Sequence, residues 1–171
     1  FKFKTLPFGL SSAPWCFTKV LHPAVKYLRA RGICFIVYLD DLLLMAQNRQ
    51  NLLSQLSLTI SLLENLGVVI NGKKSVLVPT QSITFLGFQN DSVSARLSLP
   101  PQKLSKIWHV LHRTLARPFT SLLQVAWVVG LLSSSIQAIF PGPLHYRALQ
   151  RLKAFHLRRG LTYSEMTPLS S

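Results

Sequence analysis

Two adjacent carboxylates, Asp40 and Asp41, stand out in a chain that otherwise avoids negative charge. Five acids are present (Asp40, Asp41, Glu64, Asp91 and Glu165) against nineteen Lys and Arg. The pair lies between two apolar runs, residues 33–37 and 42–46. Carboxylates buried in apolar surroundings are costly without a counter-charge, and a divalent cation supplies one. Two-metal phosphoryl transfer needs carboxylates that hold cations about 3.5–4 Å apart. An Asp-Asp dipeptide alone more often marks an ordinary polar turn. The flanking apolar runs, and Tyr38 two residues before the first acid, argue for a built site.

The surrounding pattern must position that pair. Two five-residue apolar runs joined by a short polar link predict a buried β-hairpin with the acids at its tip. Before it, Ser12 as N-cap and Pro14 in the first turn open a helix. Its apolar face runs Phe17, Val20, Leu21, Ala24 and Leu28, Pro23 should kink it, and Gly32 should end it. A second helix fits residues 50–66, with Leu52, Leu56, Ile60 and Leu63 on one face and Gly67 as its stop. Short strands are expected at 68–70, 75–78, 83–88 and 95–99. Pro100 and Pro101 open a third helix with Leu104, Ile107, Trp108, Leu111 and Leu115 on one face. Lys103, Lys106, Arg113 and Arg117 lie on the other, and Pro118 closes it. A last helix, about 144–158, is basic, and the tail from Leu161 is expected to fray. Helix, hairpin, helix, strands and helices in that order make an α+β fold, not an alternating βαβ one.

Composition narrows the partners. A net charge of +14 attracts polyanions, with nucleic acid the first candidate and an anionic membrane the second. Residues 119–146 carry no Asp, Glu, Lys or Arg, yet Gln124, Gln137, the serines at 133–135 and Pro141-Gly142-Pro143 favour a buried helical segment over a membrane span. Cys16 and Cys34 read as buried free thiols, since two cysteines make no disulfide framework. There is no glycine-rich phosphate loop, zinc-spaced Cys/His cluster or serine nucleophile elbow.

Four segments in order carry a resemblance. Tyr38-Leu39-Asp40-Asp41 resembles the tyrosine-any-aspartate-aspartate box of reverse transcriptases. The run from Leu6-Pro7-Phe8-Gly9 through Pro14, then Phe17, resembles the box before it in retrotransposon enzymes. Gly67-Val68-Val69-Ile70-Asn71 with Lys74-Ser75 resembles the box after it, and Phe85-Leu86-Gly87-Phe88 the primer-grip box. Phe17-Thr18-Lys19 and the run at 131–136 are most similar to DIRS-type retroelements, with Gypsy-type elements second.

The resemblance implies a palm, an antiparallel sheet with helices on one face, over residues 1–99. A helical thumb or connection region at 100–160 and a flexible tail at 161–171 would follow. It implies an RNA-directed DNA polymerase, a nucleotidyltransferase that uses Mg2+ or Mn2+. Asp40 and Asp41 would be its catalytic metal ligands. Phe8, Gly9, Tyr38 and Lys74 would bind nucleotide, Phe85, Leu86, Gly87 and Phe88 would grip the primer, and Lys103, Lys106, Arg113 and Arg117 would contact nucleic acid. Partners would be an RNA template, a DNA primer, deoxynucleoside triphosphates and the rest of a retroelement polyprotein, including upstream fingers and a downstream ribonuclease H, with no membrane.

Two features depart from the family's pattern. Its first aspartate box, expected before Leu6, has no acid here, and the chain opens on Phe1 rather than Met. The expectation is a piece of a longer enzyme, inactive by itself. The alternative is a basic nucleic-acid-binding module without chemistry.

Overall fold

The computed structural model describes residues 7, 9–139 and 141–168. The chain divides into two compact units, Phe1–Thr80 and Gln81–Ser171.

In the first unit, helix α1 (Ala13–Ala30) leads into strand β1 (Cys34–Tyr38), strand β2 (Asp41–Met45) and helix α2 (Arg49–Asn65). Ser12 is in a helical conformation and its side chain caps nothing, so the expected N-cap bond is absent. Pro14 occupies the first turn and Pro23 lies inside the helix. Asn48, which the sequence reading missed, caps α2 by accepting the Asn51 N–H at 2.8 Å. The C-terminus of α1 is set by Gly32 at φ +73°, where the Ile33 N–H returns to the Leu28 carbonyl at 3.3 Å and the Gly32 N–H to Arg29 at 3.0 Å. That reversal delivers Ile33 and Phe35 straight onto Leu28.

The strands pair antiparallel, with Phe35 opposite Leu44, Val37 opposite Leu42 and Tyr38 opposite Asp41. Alternation then divides the side chains. Phe35, Val37, Leu42 and Leu44 pack with Leu28, Ile33, Val25 and Leu62, so α1 and α2 cover one face of the sheet. Cys34, Ile36 and Tyr38 on the other face are exposed. A two-stranded sheet is marginal alone, and burial against the helices holds this one.

The predicted strands at 68–70 and 75–78 do not form. Val69, Val76 and Val78 are exposed, and β-branched residues without a pairing partner gain nothing from extension. Cys34 is exposed and Cys16 only partly buried, contrary to the buried thiols expected.

The second unit begins with a three-stranded antiparallel sheet, β3 (Ser82–Phe85), β4 (Phe88–Asp91) and β5 (Arg96–Ser98). The single strand predicted at 83–88 is instead a hairpin, because Leu86 (φ +49°) and Gly87 (φ +79°) reverse the chain between Phe85 and Phe88. Helix α3 (Pro101–Leu115), strand β6 (Phe119–Ser121), helix α4 (Leu122–Ser133), a short 3-10 turn (Ile136–Ala138), helix α5 (Gly142–Arg158) and strand β7 (Met166–Pro168) follow. Val125 and Val129 of α4 meet Tyr146 and Leu149 of α5, so part of the 119–146 region forms a helical core, while Leu123, Trp127 and Leu144 are exposed. No helix among the described residues is long and apolar enough to cross a membrane.

Strands β3 to β5 cluster with the second unit. One expectation changes here. The tail expected to fray pairs β7 against β6, with Thr120 opposite Thr167, both buried.

Candidate active-site hairpin

Two residues, Leu39 and Asp40, form the loop between β1 and β2. Leu39 has φ +52°, a backbone region that suits glycine, while Asp40 does not. Asp40 therefore sits on the turn itself, and Asp41 is the first residue of β2, opposite Tyr38. The predicted tip position holds. The predicted burial does not: Asp40, Asp41 and Tyr38 are all exposed, so the apolar runs flank the tip without enclosing it. The cost of buried charge is thus not what calls for a cation here.

Of the other acids, Glu64 is exposed on α2 and likewise has no side-chain hydrogen bond or ion pair among the described residues, whereas Asp91 and Glu165 are employed in loops. Asp91 closes the loop between β4 and β5, accepting the Val93 N–H at 2.9 Å and the Ser94 hydroxyl at 2.7 Å. The Ser94 hydroxyl, then the Ser94 and Val93 amides, hold its carboxyl below the usual carboxylate range. Glu165 accepts from the Thr162 N–H at 3.2 Å. Asp40 and Asp41 have no side-chain hydrogen bond or ion pair among the described residues. They are hard oxygen donors free to take a ligand. No cluster of three or more His, Cys, Asp or Glu able to hold a metal forms among the described residues.

The remaining predicted positions of the first unit are dispersed. Phe8 lies outside the described residues. Gly9 is exposed in the turn before α1, at φ +89°, and beyond its chain neighbours no atom of the described residues lies within 4 Å of where a Cβ would stand. Lys74 is exposed in the loop after α2, where its N–H bonds the Asn71 carbonyl at 3.1 Å and the Asn71 side chain at 3.3 Å. Neither makes a hydrogen bond or ion pair to Asp40 or Asp41.

In the second unit, Phe85 and Phe88 flank the turn at Leu86-Gly87 and are half-buried. Lys103 was expected beside Lys106, Arg113 and Arg117 on an open basic face. Its ammonium instead lies 4.8 Å from the Phe88 ring centroid and donates to the Ser134 carbonyl at 3.0 Å. Lys106, Arg113 and Arg117 are exposed. The apolar face expected on α3 is turned: Ile107 and Thr114 are buried, while Leu104, Trp108 and Leu115 face solvent. Thr114 draws that face inward because its hydroxyl accepts from Gln124 of α4 at 3.1 Å.

Residues 1–90, more than half of the 171-residue chain, match the family model described as reverse transcriptase (RNA-dependent DNA polymerase). The chain belongs to the reverse transcriptase family. It is 33% identical over 107 residues to a genome polyprotein of Petunia vein clearing virus (isolate Shepherd), a match covering 60% of this chain and 5% of that polyprotein. It is 29% identical over 91 residues to an enzymatic polyprotein of Figwort mosaic virus (strain DxS), covering 53% of this chain and 13% of that one. The chain thus spans a small part of the polyproteins it resembles. As a reverse transcriptase segment it carries the Tyr-Leu-Asp-Asp box on a hairpin tip and the Phe-Leu-Gly-Phe box on a second, shorter hairpin.

Proposed function

We propose that this chain is part of an RNA-directed DNA polymerase of a retroelement, which adds deoxynucleotides to a primer 3′-hydroxyl on an RNA template. The observation that carries the proposal is the pair of exposed carboxylates, without a hydrogen bond or ion pair among the described residues, at the tip of a helix-backed hairpin in a chain of this family. Residues 1–99 would be part of the palm and 100–160 the thumb or connection region. A DIRS-type element is the parent we favour, on Phe17-Thr18-Lys19 and the run at 131–136.

Asp40 and Asp41 would hold Mg2+, or Mn2+, as oxygen ligands of the kind these hard cations prefer. The cation supplies charge stabilisation for the transferring phosphoryl group when bound. This chain's own residues do the positioning. The core around Leu28 and Phe35 fixes the hairpin, and the turn at Leu39 puts Asp40 on the tip and Asp41 at the start of β2. Tyr38, on the same sheet face as Asp41, would pack near the primer–template. Gly9, with Phe8, would line the nucleotide pocket, Lys74 would lie by the leaving pyrophosphate, and residues 85–88 would position the primer.

Two acids make half of a two-metal site, and no acid precedes Leu6 here. The chain by itself should therefore be inactive. Primer extension on an RNA template with Mg2+ tests this on three proteins: this chain, the chain joined in frame to its upstream segment, and the joined protein with Asp40→Asn. Extension should appear in the second only, with Asp40→Asn costing several kcal/mol of transition-state stabilisation. Robust extension by this chain alone would refute the need for upstream acids. Undiminished extension by Asp40→Asn would refute the site.

A further inference from the structure

The exposed side of α1, which at Arg29 borders the hairpin through the Phe35 ring, has a second pattern that the catalytic reading does not use. Leu21, Ala24 and Leu28 are buried on one side of this helix. On the other side Trp15, Lys19, His22, Lys26 and Arg29 recur at steps of three and four residues, and all five are exposed. They form one continuous ridge, roughly 21 Å long at 1.5 Å per residue. The ridge contains no acid, and among the described residues no ion pair neutralises Lys19, Lys26 or Arg29. The aromatic at its end is unusually open: Trp15 is 65% exposed. Lys19 holds its ammonium 5.6 Å from the Trp15 ring centroid, and Arg29 lies 5.5 Å from the Phe35 ring. These contacts steady two of the cations without discharging them.

We propose that this ridge is a second nucleic-acid-binding surface, which holds a single strand by phosphate contacts to Lys19, Lys26 and Arg29 and by one base stacked on Trp15. Single-strand sites pair a cationic track with aromatic platforms, and both elements are here. A membrane fits less well. An interfacial helix must offer a continuous apolar face to lipid, whereas on α1 Leu21, Ala24 and Leu28 are buried, Val25 packs with the hairpin core, and Val20 is the residue of the expected apolar face left open. A helix-binding protein partner would need a row of apolar anchors, and the ridge has Trp15 alone. The ridge and the Tyr38–Asp41 face lie on opposite sides of the hairpin layer, because α1 packs on the face that carries Phe35 and Val37. A strand held here is therefore not the one lying against the carboxylates. The proposal stands apart from the polymerase reading, since binding is measured without catalysis.

Two measurements on the full chain test it. The first is the salt dependence of affinity for single-stranded RNA and DNA oligonucleotides. Each phosphate contact to a single strand contributes about 0.7 to the slope of log affinity against log salt. The combined variant Lys19→Gln, Lys26→Gln and Arg29→Gln should lower that slope by about 2, equally for RNA and DNA, because the backbone is the common ligand. The charge-conserving variant Lys19→Arg, Lys26→Arg and Arg29→Lys should leave it unchanged. The second leaves the ridge intact. With Trp108→Phe and Trp127→Phe, Trp15 is the sole tryptophan, and its emission should be quenched as oligonucleotide binds. An unaltered slope in the glutamine variant, or unquenched Trp15 emission at saturation, overturns the proposal. So does loss of binding only to phosphatidylserine vesicles, which would assign the ridge to a membrane.

Discussion

Leu39 holds a backbone angle that leucine avoids, one residue ahead of the carboxylates. A positive φ costs a residue with a Cβ about 1–2 kcal/mol, and a β-branched side chain tolerates it least. The surrounding pairs, Tyr38 with Asp41 and Val37 with Leu42, impose it. Leu39→Val should therefore lower stability by about 1–2 kcal/mol in urea titrations, while Leu39→Gly should be nearly neutral, with relief of strain offsetting the added freedom of the unfolded chain. Equal losses in the two would show that the angle carries no strain. Asp91 makes a second, separable prediction. Its carboxyl is held below the usual range by Ser94 and by the Ser94 and Val93 amides, so its contribution to stability is complete above the unfolded value of about 3.9. That contribution disappears as pH falls through the lower folded value. Asp91→Ala should be less stable than the parent at pH 7, and the gap should close as pH drops below 4. A gap that widened on acidification would reverse the sign and exclude this linkage.

Among the elements, those specified by local rules were legible from sequence, and those specified by partners were not. The hairpin at 34–45 was readable because two five-residue apolar runs enclose a polar link, and Gly32 and Gly67 end the helices on either side as expected. The burial of Asp40 and Asp41 was misread because a run of apolar neighbours says which strand is buried, not how far its tip protrudes. Residues 68–70 and 75–78 have strand-like composition but find no partner. Helix α3 was placed correctly, and of its expected apolar face Ile107 is buried and Leu111 half-buried, while Leu104, Trp108 and Leu115 are exposed. Thr114 and Lys103 turn inward because Gln124, the Ser134 carbonyl and the Phe88 ring wait for them, and no periodicity encodes those contacts. Lys103 is thus an internal tie between α3, the β3–β4 turn and the end of α4. Lys103→Ala should cost about 1–2 kcal/mol, as the sum of a charge-assisted hydrogen bond and a cation–π contact at a half-exposed site. Lys106→Ala, exposed on the same helix, should change stability by less than about 0.5 kcal/mol. Thermal or urea unfolding of the two variants separates tie from open cation, and equal effects would dissolve the distinction.

For the molecule as a whole, the governing fact is a charge of +14 with two acids at a tip that have no ion pair among the described residues. A net positive charge attracts polyanions, whereas carboxylates repel phosphate unless a cation covers them. Binding and chemistry should therefore part in their metal dependence. Nucleic-acid affinity, carried by exposed arginines and lysines, should persist in EDTA, while any catalysis of the parent enzyme should not. Helix α5 offers another such surface. Arg147, Arg151 and Arg158 are exposed along it, and Arg151 and Arg158 line an open hollow with Ala154, Phe155 and Arg159, whose guanidinium lies 4.1 Å from the Phe155 ring centroid. If three of these arginines each meet one phosphate of a single strand, Arg147→Gln, Arg151→Gln and Arg158→Gln together should lower the salt slope by about 2. The midpoint affinity should fall for every sequence alike, since phosphate contacts carry no sequence information. Measured with and without EDTA, the loss should be the same. A loss that appears only with Mg2+ present would place the bound strand at the carboxylates rather than on α5, and a loss confined to one sequence would replace backbone contact with base recognition.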